Sequence, residues 1–169
     1  MKAKTITESQ QQYIIFFLGN RKFGVNITQT REILDSKNLT SVPESPEFIS
    51  GIINLRGSVV PVIDLHVRLN VYQTREDRND KKIIIVELDG ITAGMMVDDV
   101  KEIKGLTREE IVNLPELCKN VDSNYIEGVG RTESDELLLL LDLAKILSRD
   151  EIKDLKKVDQ VDQEVQEEN

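Results

Sequence analysis

The 169-residue chain holds one histidine, His66, and one cysteine, Cys118. A single imidazole excludes a paired-histidine metal site and the acid–base schemes that pass a proton between two imidazoles. His66 follows Leu65 at the end of an apolar run and reads as a surface or boundary residue. Cys118 has Lys119 beside it, which could favour the thiolate, but no orienting partner is near in sequence, and it reads as a packing residue or a bystander. Asp98, Asp99 and Glu102 form the densest carboxylate cluster of the folded part. They lack the spacing and the glycine of a calcium loop and read as an exposed rim. Gly128-Val129-Gly130-Arg131 lacks the lysine and Ser/Thr of a phosphate loop and reads as a turn. With no catalytic set, metal site or cofactor site in view, the expectation is a binding module and not an enzyme.

One pair stands apart. Arg56 lies in Asn54-Leu55-Arg56-Gly57, a turn between apolar runs, and Glu32 lies upstream in the first copy of an internal repeat. A partly buried arginine needs an anionic partner. Two readings stay open: a Glu32–Arg56 pair that holds the turn against the fold, or the same pair at the mouth of a protein-binding groove.

The elements that must position these residues occur twice. Gly24-Val25-Asn26-Ile27 through Arg31-Glu32-Ile33 recurs seventy positions later as Gly94-Met95-Met96-Val97 through Lys101-Glu102-Ile103. The apolar stretches before them, Tyr13–Leu18 and Ile83–Leu88, keep the same offset. Phe48-Ile49-Ser50-Gly51-Ile52 is echoed by Tyr125-Ile126-Glu127-Gly128-Val129, and Asp64-Leu65 by Asp142-Leu143. Such self-similarity points to one small fold built twice, in halves of about 13–73 and 82–147. Halves of this size are expected to share a core. The second copy has Gly130-Arg131 where the first has Leu55-Arg56-Gly57, so the halves are expected to bind different things.

Short apolar runs closed by turn residues predict strands, among them Tyr13–Leu18, buried on both faces, and Val59–Ile63. Pro61 in the latter favours an edge or a bulge. The run Leu137–Leu141 aligns with Val59–Ile63 and is read as a strand despite its helical propensity. Ser45-Pro46 reads as the opening of a short helix. Thr74–Lys81, wholly polar, is the expected junction between the halves. Ser148-Arg149-Asp150-Glu151 matches a capping box and predicts a C-terminal helix over 148–158. An unstructured N-terminus over 1–12 and a flexible acidic tail over 159–169 complete the expected organisation. Many short strands with frequent turn signals point to an all-β fold with short helices, as small barrels or a sandwich.

Hydrophobic residues make up 39% of the chain and charged ones 31%, enough for both a core and a soluble surface. The absence of a signal-like N-terminus, an eighteen-residue apolar run and a second cysteine point to the cytoplasm. The net charge of −9 argues against nucleic acid and anionic membranes as partners. Much of it lies in Asp150–Asn169, with eight acidic and three basic residues, as a solubilising end. Seven aromatics and no Trp leave no platform for stacking bases.

The run Phe48-Ile49-Ser50-Gly51-Ile52-Ile53-Asn54-Leu55-Arg56-Gly57-Ser58-Val59-Val60-Pro61-Val62-Ile63-Asp64-Leu65 closely resembles the signature of the CheW family, the bacterial chemotaxis coupling proteins. Phe23-Gly24-Val25 to Glu32-Ile33 and Ala93 to Asp98 match in order and spacing, so the resemblance covers roughly Tyr13 to Leu147. It implies two intertwined five-stranded SH3-like β-barrels and a non-catalytic scaffold without a cofactor. It also implies that methyl-accepting chemotaxis receptors are held by their cytoplasmic tips and linked to the regulatory domain of the histidine kinase CheA. The protein would thus be recruited to membrane receptor arrays. The resemblance implies a receptor- and partner-binding set of Thr30, Glu32, Gly51, Asn54, Arg56 and Gly57 around a groove between the barrels. The alternatives are a CheW-like assembly module of another two-component pathway and a small-ligand-binding barrel.

Overall fold

The computed structural model describes residues 10–71, 80–88, 90–119, 125–148 and 150–154. Eleven strands run through them: β1 (Gln11–Leu18), β2 (Arg21–Asn26), β3 (Thr30–Asp35), β4 (Ile49–Leu55), β5 (Ser58–Asp64), β6 (Lys82–Leu88), β7 (Ile91–Val97), β8 (Asp99–Leu106), β9 (Ile111–Val112), β10 (Ile126–Arg131) and β11 (Leu137–Leu141). One turn of helix, α1 (Leu65–Arg68), follows β5, with the Asp64 side chain accepting from the His66 N–H as its N-cap.

The strands form two sheets of SH3-like order. The first is β3-β6-β7-β5-β4, and the second is β8-β1-β2-β11-β10-β9. Neither sheet is built from one sequence half. The β6–β7 hairpin of the second half inserts between β3 and β5, and the β1–β2 hairpin of the first half inserts between β8 and β11. Both insertions use the same pairings, antiparallel on one side and parallel on the other (β5–β7 and β11–β2). The halves have therefore exchanged equivalent hairpins, which is the physical content of the intertwining. The second sheet has a sixth strand, two-residue β9, beyond the five expected. Its counterpart in the first sheet is a single bridge, Thr40 to Ile52.

Alternation along the strands divides the apolar residues among three cores. On β1, Ile14, Phe16 and Leu18 face a large cluster shared by the two sheets, and Tyr13 and Ile15 face the interior of the second. On β6, Ile84 and Val86 enter the shared cluster, and Ile83 and Ile85 the interior of the first sheet. Strands buried on both faces explain why Tyr13–Leu18 and Ile83–Val86 read as unbroken apolar runs. The leucine run is a strand for the same reason: Leu138 and Leu140 fill one barrel and Leu141 the shared cluster.

Some expectations are overturned. Gln11 and Gln12, placed by sequence in the unstructured N-terminus, pair with Leu106 and Gly105 as the start of β1. Residues 1–9, 72–79 and 155–169, with the expected N-terminal disorder, most of the junction and the acidic tail, lie outside the described residues. Ser45-Pro46 opens no helix, because β4 starts at Ile49 and leaves room only for a turn, the Ile49 N–H donating to the Pro46 carbonyl. Pro61 sits in β5, an interior strand and not an edge, and away from the β4 bulge between Ile49 and Gly51. It is tolerated because the ladder to β7 begins only at Val62.

The C-terminal capping box is made. The Ser148 N–H donates to Glu151 Oε1 and the Glu151 N–H to Ser148 Oγ, and residues 150–154 are helical. Residues 155–158 of the expected helix fall outside the described residues. Arg68 of α1 clasps this end: its Nε donates to the Ile146 carbonyl at 2.7 Å and its fork to both Glu151 oxygens at 3.1 and 2.8 Å, over the Phe48 ring. Arg68→Ala is expected to cost about 1–3 kcal/mol, since it strands a carbonyl and a half-buried carboxylate. Arg68→Lys should recover little, because an ammonium cannot reproduce the planar fork. Urea midpoints check both.

Candidate functional site

Strands β4 and β5 are joined by a two-residue turn, Arg56-Gly57, with both residues at positive φ, 51° and 88°. This is the type I′ geometry, whose twist matches that of the flanking strands. Glycine adopts it freely, whereas for arginine it is uncommon. The turn is held without help from the arginine side chain: Asn54 Oδ1 accepts from the Gly57 N–H at 3.0 Å, and Leu55 pairs with Ser58.

Held this way, Arg56 points outward with its side chain 75% exposed, and its Nη1 lies 2.8 Å from Glu32 Oε2, whose side chain is 26% exposed. Glu32 is on β3 and Arg56 at the end of β4, the two edge strands of the first sheet. No ladder among the described residues joins these edges, so the ion pair bridges the open seam of the barrel. An exposed pair of this kind contributes at most about 1 kcal/mol. The second barrel does not repeat it, since Glu102 faces its neighbour Lys101 at 3.7 Å.

The remaining sequence-predicted residues divide by role. Thr30 Oγ1 donates to the Ile27 carbonyl at 2.9 Å and starts β3, the strand that carries Glu32. Gly51 is buried under Thr40; a Cβ there would stand 2.2 Å from the Thr40 carbonyl oxygen. Gly51 therefore sets the backbone and Arg56 the surface. Beside the turn, Arg31, Leu55, Arg56, Pro61 and Thr92 line a cleft of about 200 Å³. Arg31, ion-paired with Glu87, and Thr92 are missing from the sequence-predicted set. Thr92 belongs to the second half of the sequence and reaches this cleft only through the hairpin exchange.

The two sheets share one apolar core, to which residues of both sequence halves contribute. His66 is not a surface residue: it is 4% exposed, with Nε2 2.9 Å from Asp98 Oδ1. Asp98 thus leaves the exposed rim that Asp99 and Glu102 do occupy. Gly128–Arg131 is not a turn but the body of β10, paired with β11 and β9. Cys118 is exposed at the end of a short 3₁₀ turn. Among the described residues no three His, Cys, Asp or Glu side chains are placed to hold a metal ion, and no helix is long and apolar enough to cross a membrane.

In the second barrel the Tyr13 hydroxyl donates to Gln11 and approaches Glu127 Oε1 at 3.4 Å. Burial and the neighbouring carboxylate push this phenol up to about 12. Raised above its unfolded value near 10, it holds its proton more tightly in the folded state. Stability is then unchanged below about pH 10 and lost between about pH 10 and 12. Urea midpoints measured across that window should fall, and Tyr13→Phe should flatten the slope.

Residues 12–151 match the family model described as the CheW-like domain. The chain is 34% identical over 142 residues to the chemotaxis protein CheW of Klebsiella aerogenes, covering 84% of each chain. It is 31% identical over 140 residues to that of Bacillus subtilis, covering 83% of this chain and 88% of the relative. The crystal structure of the scaffolding protein TtCheW from Thermoanaerobacter tengcongensis superposes with a TM-score of 0.74 at 34% identity, covering 82% of this chain and 92% of that one.

Proposed function

Because this chain belongs to the CheW-like family and is a chemotaxis coupling adaptor, we propose that it joins the cytoplasmic tips of chemoreceptors to the regulatory domain of the histidine kinase CheA. Coupling of this kind needs no chemistry, which agrees with a scaffold role. An adaptor bound to two partners biases the arrangement of one through contacts that differ between its states. The observation that carries the reading is Arg56, presented outward by a turn that does not need its side chain. The receptor tip is assigned to the face formed by Glu32, Asn54, Arg56 and Gly57, with Thr30 and Gly51 holding β3 and β4 beneath it. The divergent Glu102–Lys101 edge of the second barrel leaves that barrel for the kinase. An interface of standard size buries about 800 Å² on each partner, so each barrel has area for one. The protein itself works without inserting in the membrane, as a cytoplasmic component of receptor arrays.

Calorimetry with a receptor cytoplasmic fragment and, separately, the kinase regulatory domain tests the assignment. Binding to both, with a ternary complex, is the expected result, and binding to neither sinks it. Arg56→Glu should weaken receptor binding at least about tenfold, the effect of one lost charge-assisted contact, and leave kinase binding unchanged. The double reversal with Glu32→Arg restores the pair. Recovered receptor binding would mean that the pair as a unit is recognised, whereas continued loss would mean that the partner reads Arg56 directly.

A further inference from the structure

The Asp98 carboxylate stands where the chain crosses from β7 of the first sheet to β8 of the second, and it is divided between the two barrels. Its Oδ2 accepts from the Gly19 N–H at 2.5 Å, in the turn of the β1–β2 hairpin, and its Oδ1 faces His66 Nε2 at 2.9 Å. Its own N–H donates to the Phe17 carbonyl at 3.0 Å, at the end of β1. His66 belongs to α1, directly after β5 of the first sheet. Three elements thus meet at one carboxylate: the exchanged hairpin of the second barrel, the crossover and the helix that ends the first barrel. The imidazole is buried, and its Nδ1 has no hydrogen-bond partner among the described residues. The repeat has no second such contact: His66 corresponds to Ala144, which carries no polar side chain.

We propose that His66 and Asp98 form a polar latch that sets the placement of the β1–β2 hairpin against α1, and with it the placement of one barrel against the other. The shared core resists separation but is non-directional, so apolar surfaces alone permit sliding. A carboxylate accepting from two elements at once is directional and fixes one placement. In this latch Nε2 is the donor to Asp98 Oδ1, and Nδ1 meets no hydrogen-bond partner among the described residues.

His66 is the chain's only histidine, so the imidazole nitrogen resonances of the intact protein report it without assignment. The expected result is the Nε2–H tautomer; the Nδ1–H tautomer would overturn the latch. Amide exchange in two variants gives the second arm. His66→Phe fills the space without a donor, and the Gly19 amide should then exchange roughly tenfold faster or more, as one charge-assisted hydrogen bond loses its support. Amides inside the first sheet, such as Gly94, should be unaffected. His66→Gln, which can return a donor to the carboxylate, should restore Gly19. Unchanged Gly19 exchange, or equal loss of protection in both sheets, overturns the proposal.

The consequence for signalling rests on the adaptor reading. His66→Phe should bind receptor fragment and kinase domain as the wild type does, yet transmit receptor control to the kinase poorly; full control would limit the latch to a structural role and overturn this extension. If the wild type binds neither partner, the adaptor reading falls, and the tautomer and exchange data still decide the latch.

Discussion

Arg56→Asn should yield a more stable protein that binds its receptor less well. The turn places residue 56 at φ 51°, and asparagine followed by Gly57 is the pair that a type I′ turn favours. Relief of the arginine's backbone strain is expected to add about 0.5–1.5 kcal/mol. The loss of the Glu32 pair removes little, because both groups keep access to water. Receptor binding should fall about tenfold or more, since the exposed guanidinium is gone. Urea unfolding and calorimetry on one sample measure both effects. A rise in stability with loss of binding would identify Arg56 as a residue kept for recognition at a cost to the fold. A fall in stability with binding intact would return it to a structural role.

Gly51→Ala should damage the fold itself. The alanine Cβ would meet the Thr40 carbonyl oxygen at 2.2 Å and the Thr40 carbonyl carbon at 2.9 Å. Those atoms are fixed, because Thr40 and Ile52 exchange two backbone hydrogen bonds at 2.9 and 2.8 Å. Relief would require breaking that bridge and reshaping the bulge between Ile49 and Gly51. With φ at 155°, strain adds to the overlap, for an expected loss of about 2–5 kcal/mol. A large fall in the urea midpoint, with binding to both partners lost together, is the expected pattern. A normal midpoint with only receptor binding lost would place Gly51 in the contact surface instead.

The two substitutions separate what a motif alone joins. Gly51 and Arg56 stand five residues apart in one run, and the resemblance assigns both to partner binding. The fold places one under Thr40 and the other three-quarters exposed.

The internal repeat, the strand character of Tyr13–Leu18, the Asn54–Gly57 turn and the C-terminal capping box were readable in the sequence, because local spacing and residue type survive in one dimension. Leu137–Leu141 was readable as a strand only through its alignment with the first copy, and the Glu32–Arg56 pair only through the need of a partly buried arginine for an anion. Three features were not readable. His66 follows an apolar residue at the end of a strand, and nothing local reveals that Asp98, thirty-two residues later, will meet it inside the protein. Thr92 and Arg31 come to one cleft only because the β6–β7 hairpin is exchanged into the first barrel. The intertwining was implied by the family resemblance, but which hairpins are exchanged was not, since the repeat spacing is equally compatible with two separate barrels and with the exchange that occurs. Sequence periodicity determines which face of a strand is buried. Which barrel buries it depends on pairings between distant strands, and these form only when the whole chain closes on the shared core.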